Sequence, residues 1–125
     1  MTKKVIVAGV GMIPFKKPGA SENYNVMGEK AARAALEDAG LDYKLVQQAY
    51  VGYVYGDSTA GQAALYGVGL SGIPIFNVNN YCSTGSSALF LARQAVQSGT
   101  IDCAIALGFE QMTPGALDIL FEDRP

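Results

Sequence analysis

The sequence predicts an α/β chain: a largely parallel β-sheet with helices on both faces, in the order βαβαβαβ. Three observations carry that prediction. Short apolar, β-branched runs alternate along the chain with segments whose apolar residues recur at spacings of three and four. The first and last of these runs are apolar throughout rather than alternating, which is the composition of strands covered on both faces. Half of the 125 residues are hydrophobic and only 16% are charged, enough apolar surface for one domain-sized core.

Residues 3–11 (KKVIVAGVG) read as the first buried strand, a β-branched run closed by glycines. The spacing Gly9–x–Gly11–x–x–Pro14 half-matches a dinucleotide fingerprint. Proline holds the last position and no helix follows at once, so the reading is a strand ending in a turn. Asn23 or Asn25 caps the next helix, which carries Met27, Ala31, Ala34, Ala35 and Ala39 on one face and stops at Gly40. That alanine face implies close packing on a sheet, with Glu29, Lys30, Arg33, Glu37 and Asp38 in water. Residues 48–55 read as a strand whose Tyr50, Tyr53 and Tyr55 serve packing. Gly56–Asp57–Ser58 is suggestive of serine chemistry, yet the chain has no histidine, so a serine triad within it is excluded. Asp57, Ser58 or Thr59 instead caps a helix over 61–70, weakened by Gly61, Gly67 and Gly69. Residues 73–76 form the next strand. Ala88, Leu89, Leu91, Ala92, Ala95 and Val96 make the apolar stripe of the helix that follows, closed by Gly99. Residues 103–108 are a last apolar strand, and Cys103 at its start reads as structural.

Cys82 stands where a strand ends and a helix begins, at the carboxyl end of the sheet where ligands bind in such folds. The positive end of the following helix favours a thiolate over a thiol, which makes Cys82 a candidate nucleophile. Ser83, Thr84, Gly85, Ser86 and Ser87 leave room near the sulfur for an acyl chain or pantetheine arm, and their hydroxyls can satisfy the helix's first N–H groups. The competing reading is an inert buried cysteine beside an ordinary helix cap. Nucleophilic acyl transfer also needs a base, usually histidine, and this chain has none. Either the reaction is not performed here or the base lies on other sequence. A net charge of −2 without a basic stripe argues against a nucleic-acid partner. Two distant cysteines and no signal peptide suggest reduced thiols and an intracellular setting, and no apolar run reaches the length of a membrane span.

The motif Val78–Asn79–x–x–Cys82–x–x–Gly85 resembles the nucleophile motif of thiolases. The runs at 52–59 (GYVYGDST), 72–75 (GIPI) and 106–112 (ALGFEQM) are similar to the sterol carrier protein x branch of that family, and the resemblance extends from Val5 to about Pro125. Two departures flank the nucleophile: Tyr81 stands where that branch usually has asparagine, and Ser83 where it has alanine. The resemblance implies a thiolase-like N-terminal half, with 1–125 an incomplete N-terminal domain and the tail 118–125 ending short of its last strand. It implies a 3-oxoacyl-CoA thiolase of fatty-acyl and sterol side-chain β-oxidation. Cys82 would carry the acyl thioester and its backbone N–H would serve as an oxyanion donor, with Asn79, Tyr81, Ser83, Thr84 and Gly85 about the substrate. CoA enters as co-substrate, with no bound cofactor and no metal. The activating histidines and the second cysteine would come from the second half, and the fragment alone would be inactive. The resemblance further implies a homodimer paired through the strand before Cys82, in a bacterial cytoplasm or a eukaryotic peroxisome. Other readings stay open: a ketoacyl-synthase-type condensing enzyme, a steroid side-chain retro-aldolase, or a non-catalytic dimerisation half.

Overall fold

The structure, a computed structural model, describes residues 3–115. Helix α1 (Tyr24–Ala39) leads through a short 3-10 turn (Tyr43–Leu45) to strand β1 (Gln48–Gly52) and helix α2 (Ala60–Tyr66). Strand β2 (Ile75–Val78), helix α3 (Thr84–Gln97) and strand β3 (Ala104–Gly108) follow. The three strands form a parallel sheet in the order β2-β1-β3, with Gly52 opposite Val78 on one side and Gly108 on the other. The α/β class, the parallel sheet and the helices on both faces are as the sequence predicts. The pleat of β1 explains the layering, because successive side chains point to opposite faces. Ala49 and Val51 join Ala60, Ala64 and Leu65 of α2 and Ala32 of α1 in the larger core. Tyr50 faces the other way, onto Ala88 and Ala92 of α3.

The first predicted strand is the element that differs. Residues 3–11 carry no strand, so the described order is αβαβαβ rather than βαβαβαβ. The segment lies along α1. A Cβ on Gly9 would stand 2.5 Å from the Ala35 carbonyl oxygen, and one on Gly11 would stand 2.5 Å from that of Ala31. Its peptide groups bond away from any ladder: Lys3 N–H donates to Gln97 O at 3.2 Å and Val10 N–H to Asp38 Oδ2 at 2.8 Å. Ile6 and Val7 are each 73% exposed as a result. Ala34, Ala35 and Ala39 of the alanine face of α1 thus meet this segment, while Ala31 also packs against the larger core. Gly28 and Ala32 are the buried residues of α1, and Gly28 approaches Ala64 of α2 and Leu107 of β3.

The other differences concern boundaries. Asn23 is the N-cap of α1 by position but bonds no helix N–H through its side chain; Gly40 closes the helix at φ 64°, as predicted. Helix α2 ends at Tyr66, before the two glycines that were expected inside it. Strand β1 ends at Gly52 because the Glu110 carboxylate accepts the Val54 and Tyr55 N–H groups at 2.7 and 3.2 Å, in place of a neighbouring strand. Strand β2 begins at Ile75, not Ile73, and runs two residues further. On α3, Ala88 and Ala92 are buried but Leu89 is exposed. The predicted character of 118–125 lies outside the described residues.

Candidate active site

All three strands point their carboxyl ends the same way, and the first turn of α3 rests across those ends. Small residues permit it. A Cβ on Gly52 would stand 2.6 Å from both Thr84 Cγ2 and Thr84 O, and one on Gly108 would stand 3.5 Å from Gly85 Cα. Two adjacent strands therefore end in glycine at one register position; Thr84 fills the notch at Gly52, and Gly85 lies over Gly108. Thr84 is 4% exposed, whereas Cys82, two residues earlier, is exposed. The competing reading of Cys82 as a buried cysteine therefore fails.

The loop between β2 and α3 is held by its own polar groups. Tyr81 adopts φ 50°, the left-handed region that a bulky residue rarely occupies and that costs on the order of 1–3 kcal/mol. Tyr81 N–H donates to Asn79 Oδ1 at 3.2 Å, and Asn80 N–H to Thr84 Oγ1 at 3.1 Å. The Thr84 hydroxyl in turn donates to the Tyr81 carbonyl, and the Ser83 hydroxyl to the Asn80 carbonyl at 2.8 Å. Asn80 Nδ2 reaches Ser87 Oγ at 3.0 Å. The expectation that these hydroxyls cap the first N–H groups of α3 is corrected: Ser83 is the N-cap by position but makes no side-chain cap bond. The reason is the turn at Tyr81. It presents the Asn80 and Tyr81 carbonyls to the hydroxyls, and the same carbonyls take Ser83 N–H at 3.2 Å and Thr84 N–H at 3.1 Å.

Of the residues singled out in sequence, Asn79, Tyr81 and Thr84 are joined by hydrogen bonds, Gly85 sits over Gly108, and Cys82 and Ser83 face solvent. Cys103 packs against the larger core, and burial pushes its thiol above the ordinary value of 9.0. Two residues escape sequence reasoning. Glu110 ties the exit of β3 to that of β1 through the bonds given above. Asn77 supplies Oδ1 to the Gly61 N–H of α2 at 2.9 Å and donates to Gln62 Oε1 at 2.8 Å. The one signal for either was a polar residue two positions after, or inside, an apolar strand. An apolar cavity of about 360 Å³ lies apart from Cys82, between residues 11–16, Met27 and Phe109. It includes none of the residues singled out for chemistry. Among the described residues no group of three His, Cys, Asp or Glu could hold a metal, and no helix is long and apolar enough to cross a membrane.

The profile described as "Thiolase, N-terminal domain" matches residues 5–118. The chain is 55% identical to Sterol carrier protein 2 of Homo sapiens over 125 residues, 98% of this chain and 23% of that protein. It is 37% identical to Benzoylsuccinyl-CoA thiolase subunit BbsB of Thauera aromatica over 115 residues, 90% of this chain and 29% of that protein. Acetyl-CoA acetyltransferase from Syntrophomonas wolfei has the same fold, with a TM-score of 0.71 at 22% identity over 79% of this chain and 27% of that one. The chain spans less than a third of each of these relatives. With nearly its whole length matched, the chain belongs to the thiolase family.

Proposed function

We propose that this chain is the N-terminal, nucleophile-bearing part of an acyl-CoA C-acyltransferase that cleaves 3-oxoacyl-CoA by thiolysis. The observation that carries the reading is an exposed Cys82 at the carboxyl end of a parallel sheet, within a segment matched to the thiolase N-terminal domain. In the proposed reaction the Cys82 thiolate adds to the 3-keto carbon and the carbonyl electrons move to oxygen. As that carbonyl re-forms, the C2–C3 bond breaks, leaving an acyl thioester on Cys82. The departing acetyl- or propanoyl-CoA carbanion takes a proton. The thiolate of a second CoA adds to the thioester and expels Cys82. Each tetrahedral adduct carries an oxyanion, and the Cys82 N–H is the donor this chain would offer; loss of one such donor typically costs about two to three powers of ten in rate. CoA is a co-substrate here, and no resident cofactor is required.

These 125 residues contain no histidine, so the base is proposed to come from sequence outside them, together with a second cysteine. The expected result is CoA-dependent cleavage of a 3-oxoacyl-CoA by the full-length protein carrying this chain, none by residues 1–125 alone, and none in the full-length Cys82→Ala protein. Cleavage that survives in the alanine variant would remove Cys82 from the mechanism and favour retro-aldol chemistry. Turnover only with an acyl-carrier-protein substrate would favour a condensing enzyme. The proposed assembly is a homodimer through β2. Its support is that β2 is an edge of the sheet with Phe76 on its surface.

A further inference from the structure

Thr84 belongs to the helix that follows the loop, yet its hydroxyl serves the loop rather than the helix. It accepts from Asn80 N–H at 3.1 Å and donates to the Tyr81 carbonyl, so it brackets the peptide that must turn left-handed at Tyr81. Its methyl and backbone are seated in the notch left by Gly52, and the next residue, Gly85, lies over Gly108. The notch fixes Thr84 to the sheet, and the hydroxyl fixes the turn to Thr84. Cys82 is the next residue after that turn. Its backbone direction is therefore set by a chain of contacts reaching back to the end of β1.

We infer that Thr84 is a positioning residue for Cys82: its buried hydroxyl holds Tyr81 left-handed, and this aims the sulfur at a substrate carbonyl carbon and the Cys82 N–H at that carbonyl's oxygen. The inference rests on Cys82 being the nucleophile. A left-handed backbone is disfavoured for tyrosine and free for glycine, so the need for the hydroxyl depends on the residue at 81. A hydroxyl that merely stabilised the fold would matter equally with either residue there.

That dependence is the test, made in the full-length protein as a double-mutant cycle. Thr84→Val keeps the methyl in the notch and deletes the hydroxyl. In the otherwise unsubstituted protein it should lower kcat for thiolysis by about a hundredfold with little change in KM, the scale of a nucleophile misplaced by about 1 Å. Thr84→Ser, which keeps the hydroxyl, should recover most of that rate although it too lowers the melting temperature. In the Tyr81→Gly protein the further change Thr84→Val should lower kcat by no more than about threefold. Equal losses in both backgrounds, or no loss in either, would overturn the inference. If Thr84→Val alone fails to fold, the comparison of Tyr81→Gly with the double variant, set against Thr84→Ser, still decides it. Should the unsubstituted protein show no thiolysis, the proposed function fails, and Thr84 is judged on iodoacetamide labelling of Cys82 across the same cycle. Labelling rates that track melting temperature alone then count against a positioning role.

Discussion

At the residue scale the two cysteines behave as opposites, and their neighbours say why. Cys82 lies among Ser83, Thr84 and Gly85, too small to cover it, and is exposed; Cys103 immediately precedes the apolar strand β3 and is half buried. That contrast was legible in the sequence. The expected outcome is that iodoacetamide modifies Cys82 well before Cys103 in the folded chain, read peptide by peptide by mass spectrometry; equal rates would contradict the packing of Cys103. Burial raises the Cys103 thiol above 9.0 and the Tyr43 hydroxyl above 10.0. The folded state then holds these protons to higher pH than the unfolded chain does. Their contribution to stability is present below the unfolded values and is lost as pH rises through the raised ones. Urea midpoints should therefore fall from about pH 9 upward, less steeply in Cys103→Ala; identical slopes would exclude the cysteine as a cause. The handedness of Tyr81 was not legible. Tyrosine has no preference for positive φ, and the conformation is imposed by the Asn79 and Thr84 side chains.

At the scale of elements, α3 is placed by the glycines that end β1 and β3. Gly52→Ala should destabilise the chain by about 1–3 kcal/mol, because the new methyl would meet Thr84 Cγ2 and O at 2.6 Å, and neither partner is the free end of a flexible side chain. Gly85→Ala, whose Cβ meets nothing within 4 Å, should leave stability unchanged or raise it. Urea unfolding of the two variants checks the pair, and similar effects would show that the notch is not a constraint. Element existence was mostly readable from periodicity, but element ends were not. Strand β1 stops where a carboxylate from Glu110, more than fifty residues away, takes over its N–H groups. The run at 3–11 has the composition of a strand, but composition cannot supply a ladder partner. Gly9 and Gly11 let it settle on the alanines of α1 instead.

At the scale of the molecule, large apolar side chains stand in solvent on several sides: Phe76 on the edge strand, Leu89 and Phe90 on α3, Phe15 and Leu70 on loops. Surfaces of this kind drive association. Residues 1–125 expressed alone should elute from a sizing column as dimers or larger species and bind a hydrophobic dye; a sharp monomer peak without dye binding would contradict this. From sequence alone came the α/β class, the parallel sheet, the helices on both faces and the junction that presents Cys82, because hydrophobic period and small-residue clusters are local properties of a chain. Tertiary structure alone decided that the first apolar run leaves the sheet, that the hydroxyls of Ser83 and Thr84 turn back on the loop, and that Thr84 lodges against the end of β1. Each of those depends on which distant backbone arrives within reach of a given side chain, and no reading of neighbours along the chain contains that distance.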